Sequence, residues 1–155
     1  MNTHETYVSL EVAKLLKQAG FDWECISAYR EGELYYYSEN SKGLIVMNFN
    51  NAPEYMNQYS APLLSIAQKW LREVKGIIIS SDARDVNYIK YNATIHAIYE
   101  ERNPELHIED VGTIHFIPYG LICKGITEFY DTYEEALEAG IKKCLELILE
   151  KDDKD

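Results

Sequence analysis

Residues 132–150, TYEEALEAGIKKCLELILE, decide the fold class because they form one amphipathic pattern with a single apolar face. Apolar residues recur every three or four positions, which is the spacing of one helix face. Thr132 and Glu135 have the spacing of a capping box, in which each side chain accepts a hydrogen bond from the other residue's backbone N–H. Glu138 and Lys142 are predicted to form an ion pair on the solvent side. A helix with one apolar stripe needs another layer to cover it.

Two further segments carry the same period. The spacing predicts helices over 9–20 and 60–75, with Ser9 and Ser60 as N-terminal caps and Gly76 ending the second helix. The apolar stripe of the second helix is predicted to comprise Leu63, Ala67, Trp70, Leu71 and Val74, with Trp70 as a buried anchor.

Alternating and β-branched residues fill most of the remaining chain. Glu31 and Gly32 mark a hairpin turn, and residues 81–87 form a polar turn region. The predicted fold class is α+β: a single domain over residues 1–150, in which a mainly antiparallel sheet packs against three amphipathic helices. Residues 151–155 are predicted to form a disordered acidic tail. Strands are predicted within 23–37, 44–49, 77–79, 88–100, 112–117 and 121–129.

The composition favours a globular protein and argues against one class of partner. The 155 residues are 46% hydrophobic and carry 15 basic and 26 acidic side chains, a formal net charge of −11. This balance repels phosphate backbones and argues against direct nucleic-acid binding.

The first residues lack the basic and apolar segments of a secretory signal, and no apolar run approaches the roughly 20 residues of a membrane span. Three cysteines without a CxxC motif are typical of a reducing compartment. We therefore expect a cytoplasmic bacterial protein with no membrane association.

Three segments carry a resemblance. They are YVSLEVAKLLKQAGFD at 7–22, SAPLLSIAQKWLREVKGIII at 60–79 and YDTYEEALEAGIKKCLELI at 130–148. In this order they resemble a group of small uncharacterised proteins of gut Bacteroidetes and their phages or prophages. The resemblance implies a bacterial or phage origin and no catalytic residue. The chain departs from the group in a longer stretch around 100–129.

Two histidines share a repeated tripeptide. Thr-Ile-His occurs at 94–96 and at 113–115, so His96 and His115 would project from one sheet face if those strands paired. A zinc site needs three or four ligands, and the chain has no HxH, HExxH or CxxC motif. Solvent-facing histidines are therefore the favoured interpretation, with a site at His96 and His115 as the alternative.

Common catalytic and cofactor-binding motifs do not occur in the sequence. There is no GxSxG, no Walker loop and no GxGxxG, so no catalytic residue, metal or cofactor is predicted. An enzyme whose site is assembled from distant residues stays open as an alternative.

Tyrosine is unusually frequent, with 13 in 155 residues. Alternation along a strand sends Tyr36 to the opposite face from Tyr35 and Tyr37. Tyrosine is enriched at protein interfaces, and exposed aromatic patches are commonly covered in two-fold dimers. The candidate interface comprises Tyr35, Tyr36, Tyr37, Tyr55 and Tyr59, and we expect a homo-oligomer or another protein as partner.

The sequence thus favours a non-catalytic protein-interaction module of a phage or mobile element. Two alternatives involve nucleic acid. SLEVAKLLKQAGF at 9–21 looks like the opening helix of small winged-helix regulators, although the strand-like segment that follows it does not fit that class. The acidic residues of 77–155 suggest a decoy that imitates DNA charge.

Overall fold

The structure is a computed structural model that describes residues 6–37, 46–51, 57–83, 90–98 and 121–154, without the side chains of 97–98 and 121–125. These residues form three helices and six strands, and every strand pairing within the sheets is antiparallel. The predicted α+β class is confirmed. The elements are α1 (Leu10–Gln18), β1 (Ser27–Arg30), β2 (Glu33–Tyr36), β3 (Gln58–Ser60), α2 (Leu64–Lys75), β4 (Ile77–Ala83), β5 (Tyr91–Ile98), β6 (Leu121–Ile126) and α3 (Tyr133–Asp152).

The described strands divide into two sheets of three, with the orders β2-β1-β3 and β4-β5-β6. We call them the first and the second sheet. Helix α3 packs on β4 and β5, while α1 contacts β3 and α3. Buried side chains from both sheets and all three helices form one hydrophobic core. The predicted strand at 112–117 lies outside the described residues, and within 44–49 Met47 makes an isolated bridge to Cys25.

Helix α1 and the hairpin after it follow their local signals. The Ser9 side chain accepts a hydrogen bond from the backbone N–H of Val12, as predicted for a cap. In the hairpin, Glu31 and Gly32 have φ angles of 52° and 87°. Two consecutive positive φ angles define a type I′ turn, whose twist matches that of the flanking strands. The predicted turn is confirmed.

The predicted Ser60 cap is wrong. Ser60 is the last residue of β3 and pairs with Ala28 of β1, so the sheet uses it before the helix begins. Helix α2 starts at Leu64, behind Leu63, which offers no side-chain hydrogen bond. The backbone N–H of Leu64 instead donates to the carbonyl of Thr6, 2.9 Å away. A distant backbone group therefore replaces the side-chain cap.

Helix α2 buries most of the predicted stripe. Trp70 is fully buried, as predicted, and its ring lies 5.4 Å from that of Phe21. Val74, predicted on the same stripe, is exposed because the last turn of the helix extends past the core. Leu63 is only half-buried, and Leu64 takes its place in the core.

Strand β4 continues beyond its predicted end. Residues 81–83, predicted within a polar turn, extend the pairing with β5 to Ala83 and Tyr91. The buried Ser81 fits here because its hydroxyl donates to the carbonyl of Tyr133, 3.2 Å away. Strand pairing and this hydrogen bond satisfy polar groups that the sequence alone assigns to solvent.

Helix α3 has the predicted capping box between Thr132 and Glu135. Its close packing on the second sheet depends on Gly140. A Cβ atom at that position would lie 2.6 Å from the Ala93 Cβ and 2.9 Å from the Ile79 Cγ2. The helix also continues to Asp152, which includes two residues of the predicted tail.

The predicted ion pair between Glu138 and Lys142 is replaced by contacts to α1. The Glu138 carboxylate accepts a hydrogen bond from the backbone N–H of Ser9 at 2.6 Å. The Lys142 ammonium group pairs with Glu11 at 2.8 Å, and this contact raises the pKa of Lys142. Helix α3 thus stabilises the start of α1.

Candidate protein interface

The most exposed described aromatic residues of the first sheet lie on β2. Tyr36 is 59% exposed and Tyr35 is 44% exposed. Because neighbouring residues of a strand point to opposite faces, these two rings lie on opposite sides of the sheet. A single flat partner surface therefore could not cover both.

The face that carries Tyr36 is the one beneath α1. The Tyr36 ring meets that of Tyr7 edge to face at 5.3 Å. Farther along this face, the ring of Tyr59 lies within 5.7 Å of Lys14 and 5.2 Å of Lys17. Contacts of this kind are cation–π interactions. They hold Tyr59 half-buried under the helix, so it is less available to a partner than Tyr36.

Tyr29 also belongs to this face, although the sequence argument did not select it. It is the Cα partner of both Tyr59 and Leu34, and its hydroxyl donates to the carbonyl of Val8 at 2.9 Å. Burial, more than the nearby charge of Glu138, raises the pKa of Tyr29. Its sheet register could have been found only once the strand pairing was known.

On the opposite face, the Tyr37 ring stacks on Phe49 at 4.6 Å, and its hydroxyl donates to the Gln58 side-chain oxygen at 2.9 Å. Tyr37 is therefore a structural residue in part. Tyr35 makes one long side-chain contact, from its hydroxyl to the Glu33 carboxylate at 3.4 Å.

The structure thus separates the predicted interface residues. Tyr35 and Tyr36 are exposed on two faces of one strand, whereas Tyr37 and Tyr59 are half-buried by contacts within the fold. Tyr55 lies outside the described residues, as does His115. The feature shared by the two exposed rings is the strand itself.

Among the described strands, β2 lies at the edge of the first sheet. The Tyr37 N–H donates to the Ile26 carbonyl at 2.8 Å, and Tyr35 is the partner of Ala28. Backbone groups of an antiparallel strand alternate in direction along the strand. The N–H and C=O groups of Leu34 and Tyr36 therefore point away from β1. These are the groups that an added strand would bind.

His96 lies half-buried on β5, opposite Ile78 and Cys123 in the sheet register. The same face carries Thr94, whose hydroxyl is 3.4 Å from that of Ser80. Within the described residues, no three His, Cys, Asp or Glu side chains are grouped so that they could hold a metal ion. The described residues around His96 therefore do not provide a set of metal ligands.

Two thiols are poorly suited to nucleophilic chemistry. Cys25 and Cys144 are free and buried, and burial raises the pKa of each to about 12. The reactive form of cysteine is the thiolate, so both groups are inert near neutral pH. Cys144 is fully buried and packs as a small core residue of α3.

Two open pockets are small for a ligand site. One, of about 190 Å³, lies between the starts of α2 and α3, and the other, of about 290 Å³, lies between α3 and the segment after β6. Ligand sites usually measure about 300–1,000 Å³. In the larger pocket, the Lys143 ammonium group already donates to the Ile126 carbonyl at 2.9 Å. Close to this pocket in the sequence, Phe129 is 59% exposed.

Comparison of the chain with models of known families, with curated proteins and with solved structures gives no match. None of the helices that the structure describes is long and apolar enough to cross a membrane. The class of this protein is therefore defined by its geometry: an α+β fold whose described strands form two antiparallel sheets, with the tyrosine-bearing β2 at the edge of one of them. The resemblance to phage and Bacteroidetes proteins stays a prediction.

Proposed function

We propose that this chain is a non-catalytic interaction module that binds another protein chain by adding a strand to the edge of β2. The observation that carries the proposal is the position of Tyr35 and Tyr36, exposed on opposite faces of the strand that lies at the edge of the first sheet among the described strands. An added strand places its side chains beside both rings, whereas a partner packed on one face would reach only one of them. In this mode, backbone hydrogen bonds supply affinity and side chains supply specificity.

The surroundings of β2 support binding to a protein. Glu31 and Glu33 are exposed in and beside the turn, and the chain as a whole carries a charge of −11. Negative groups beside the edge oppose a phosphate backbone. They are compatible with a peptide strand, which presents N–H and C=O groups of its own.

The proposal includes an origin and a compartment. The three segments at 7–22, 60–79 and 130–148 resemble small proteins of gut Bacteroidetes and their phages. On this basis the module is an accessory protein of a phage or mobile element and acts in the bacterial cytoplasm. Cys25 and Cys144 are free thiols in the described part of the chain. Free cysteines are typical of proteins in a reducing compartment.

Site-specific photocrosslinking tests the interface. Tyr36 is replaced by p-benzoylphenylalanine in cells that naturally produce the chain, and Phe129 is replaced in the same way as a control of equal exposure. We expect position 36 to crosslink to a protein chain and position 129 to give no more than background. Capture at position 129 alone, or at neither position, would overturn the proposal.

A further inference from the structure

We infer that the strand added to β2 is the β2 strand of a second copy of this chain. This inference rests on the proposed function and names its partner. The outward backbone groups belong to Leu34 and Tyr36, which lie symmetrically about Tyr35. A two-fold axis at Tyr35 would pair Leu34 of each copy with Tyr36 of the other. Outward groups then meet outward groups, and four backbone hydrogen bonds form.

The same register covers both exposed rings. Tyr35 would lie directly opposite Tyr35 of the second copy in a pair that is not hydrogen-bonded, where cross-strand side chains approach most closely. On the other face, Tyr36 would lie beside Leu34 of the second copy. Each exposed aromatic ring of β2 thus gains an apolar neighbour, and the two first sheets become one six-stranded sheet.

Charge is compatible with this register despite the acidity of the chain. Glu33 would lie opposite Tyr37 of the second copy, and within its own chain its Cα partner in the sheet register is Arg30 of β1. The two Glu33 residues would be offset by four positions, or about 13 Å along the strands. This separation exceeds the Debye length of about 8 Å at physiological salt. Across the described residues 33–37, this register therefore places no like charges directly opposite each other.

The area available for this interface is small. A tyrosine buries about 150–250 Å² in full, so two rings exposed by about half offer on the order of 200 Å² per chain. Even with the backbone, the interface falls below the roughly 1,200 Å² of standard stable complexes. We therefore expect a reversible dimer with a Kd on the order of 100 μM.

The first experiment is sedimentation of the purified full chain from about 10 μM to 1 mM. We expect a monomer–dimer equilibrium that tightens with added salt, because salt screens the charge of −11 on each copy. Tyr36→Pro removes an outward N–H but no hydrogen bond to β1, so the Kd should rise at least about tenfold. Phe129→Ser is the control and should leave the Kd unchanged. Tyr7→Ser is no control, because the Tyr7 ring contacts Tyr36.

Amide hydrogen exchange tests the same dimer without substitution, in case proline disturbs the hairpin. The amides of Leu34 and Tyr36 should become protected as concentration rises, while those of Tyr35 and Tyr37 should be protected throughout. A monomer up to 1 mM, or a dimer without new protection at Leu34 and Tyr36, would overturn the inference. If such a monomer still crosslinks through position 36 to a different protein, the second copy is excluded and the proposed function stands.

Discussion

The contact between α3 and the second sheet differs from the β1–β2 hairpin in the reason each requires glycine. At Gly140, the obstacle to a side chain is another atom, since a Cβ would lie 2.6 Å from that of Ala93. At Gly32, no atom lies within 4 Å of the added Cβ, and the obstacle is the backbone φ of 87°. The first region is limited by packing and the second by local conformation. The hairpin can therefore lie at the surface and offer an edge, whereas the α3 contact cannot move without disturbing the core.

Truncation of the shared core should have the largest effect. Trp70 is fully buried against Phe21, so Trp70→Ala should lower the free energy of unfolding by about 3–5 kcal/mol. Chemical denaturation of the variant measures this change. Val74→Ala, an exposed site on the same helix, is the control and should change stability by less than about 0.5 kcal/mol. Equal effects at the two positions would contradict the described core.

Overpacking at the contact between α3 and the second sheet should have the next largest effect. Gly140→Ala inserts a methyl group against Ala93 and Ile79, and should lower the free energy of unfolding by about 1–3 kcal/mol. Helix propensity acts in the opposite direction, because alanine favours a helix over glycine by about 1 kcal/mol. A stabilised variant would show that α3 does not approach the second sheet as closely as described. Thermal unfolding of the two proteins side by side decides the matter.

Alkaline pH should destabilise both the β1–β2 hairpin region and the α3 region. Cys25 precedes β1 and Cys144 lies on α3, and the pKa of each is raised to about 12 from an ordinary value of 9.0. The folded state therefore holds these protons more tightly, so their contribution is complete below pH 9 and is lost as pH rises toward 12. Between pH 8 and 9.5 we expect the free energy of unfolding to fall by on the order of 1 kcal/mol.

Thiol labelling provides an independent measurement of the same pair. Both thiols should resist a disulfide reagent at pH 8 in the folded protein and react after unfolding. Fast labelling of Cys25 but not Cys144 would show that the hairpin region opens on its own. In that case the comparison between the two regions would become sharper, because their local stabilities would differ.

The smallest expected change is a gain at the hairpin turn. Glu31 has a φ of 52°, which a residue with a long side chain adopts at some strain. Glu31→Asn creates Asn-Gly, the preferred pair for a type I′ turn, and should stabilise the protein by about 0.5–1 kcal/mol. Glu33→Asn, two positions away and also exposed, is a control for the lost charge. Destabilisation by Glu31→Asn would argue against the type I′ turn.

Sequence reasoning succeeded where the signal is local. The cap at Ser9, the capping box of α3 and the turn at Glu31 and Gly32 each depend on residues within four positions of one another. The predicted cap at Ser60 was wrong because a serine before an apolar run can either cap a helix or end a strand. The choice was made by pairing with Ala28, 32 positions earlier in the chain.

The candidate interface shows the same limit. Alternation along the strand indicates that Tyr36 points away from Tyr35, which agrees with its contact to Tyr7. The sequence could not show that Tyr37 stacks on Phe49 or that Tyr59 lies under two lysines, since those partners come from other elements. The edge position of β2 is likewise a property of the sheet order and leaves no mark in the local sequence.

The hydrogen bond from Ser9 to Glu138 has a consequence for biosynthesis. These residues are 129 positions apart, so at about 5–20 residues per second the ribosome adds Glu138 roughly 6–26 s after Ser9. Helix α1 has only nine residues, and isolated helices shorter than about 12–15 residues are marginal in water. The hydrogen bond between Ser9 and Glu138 therefore forms late in translation. A nascent chain that stalls before Glu138 has the earlier contact between Thr6 and Leu64 but lacks the hydrogen bond from Ser9 to α3, so its α1 is less stable than in the complete fold.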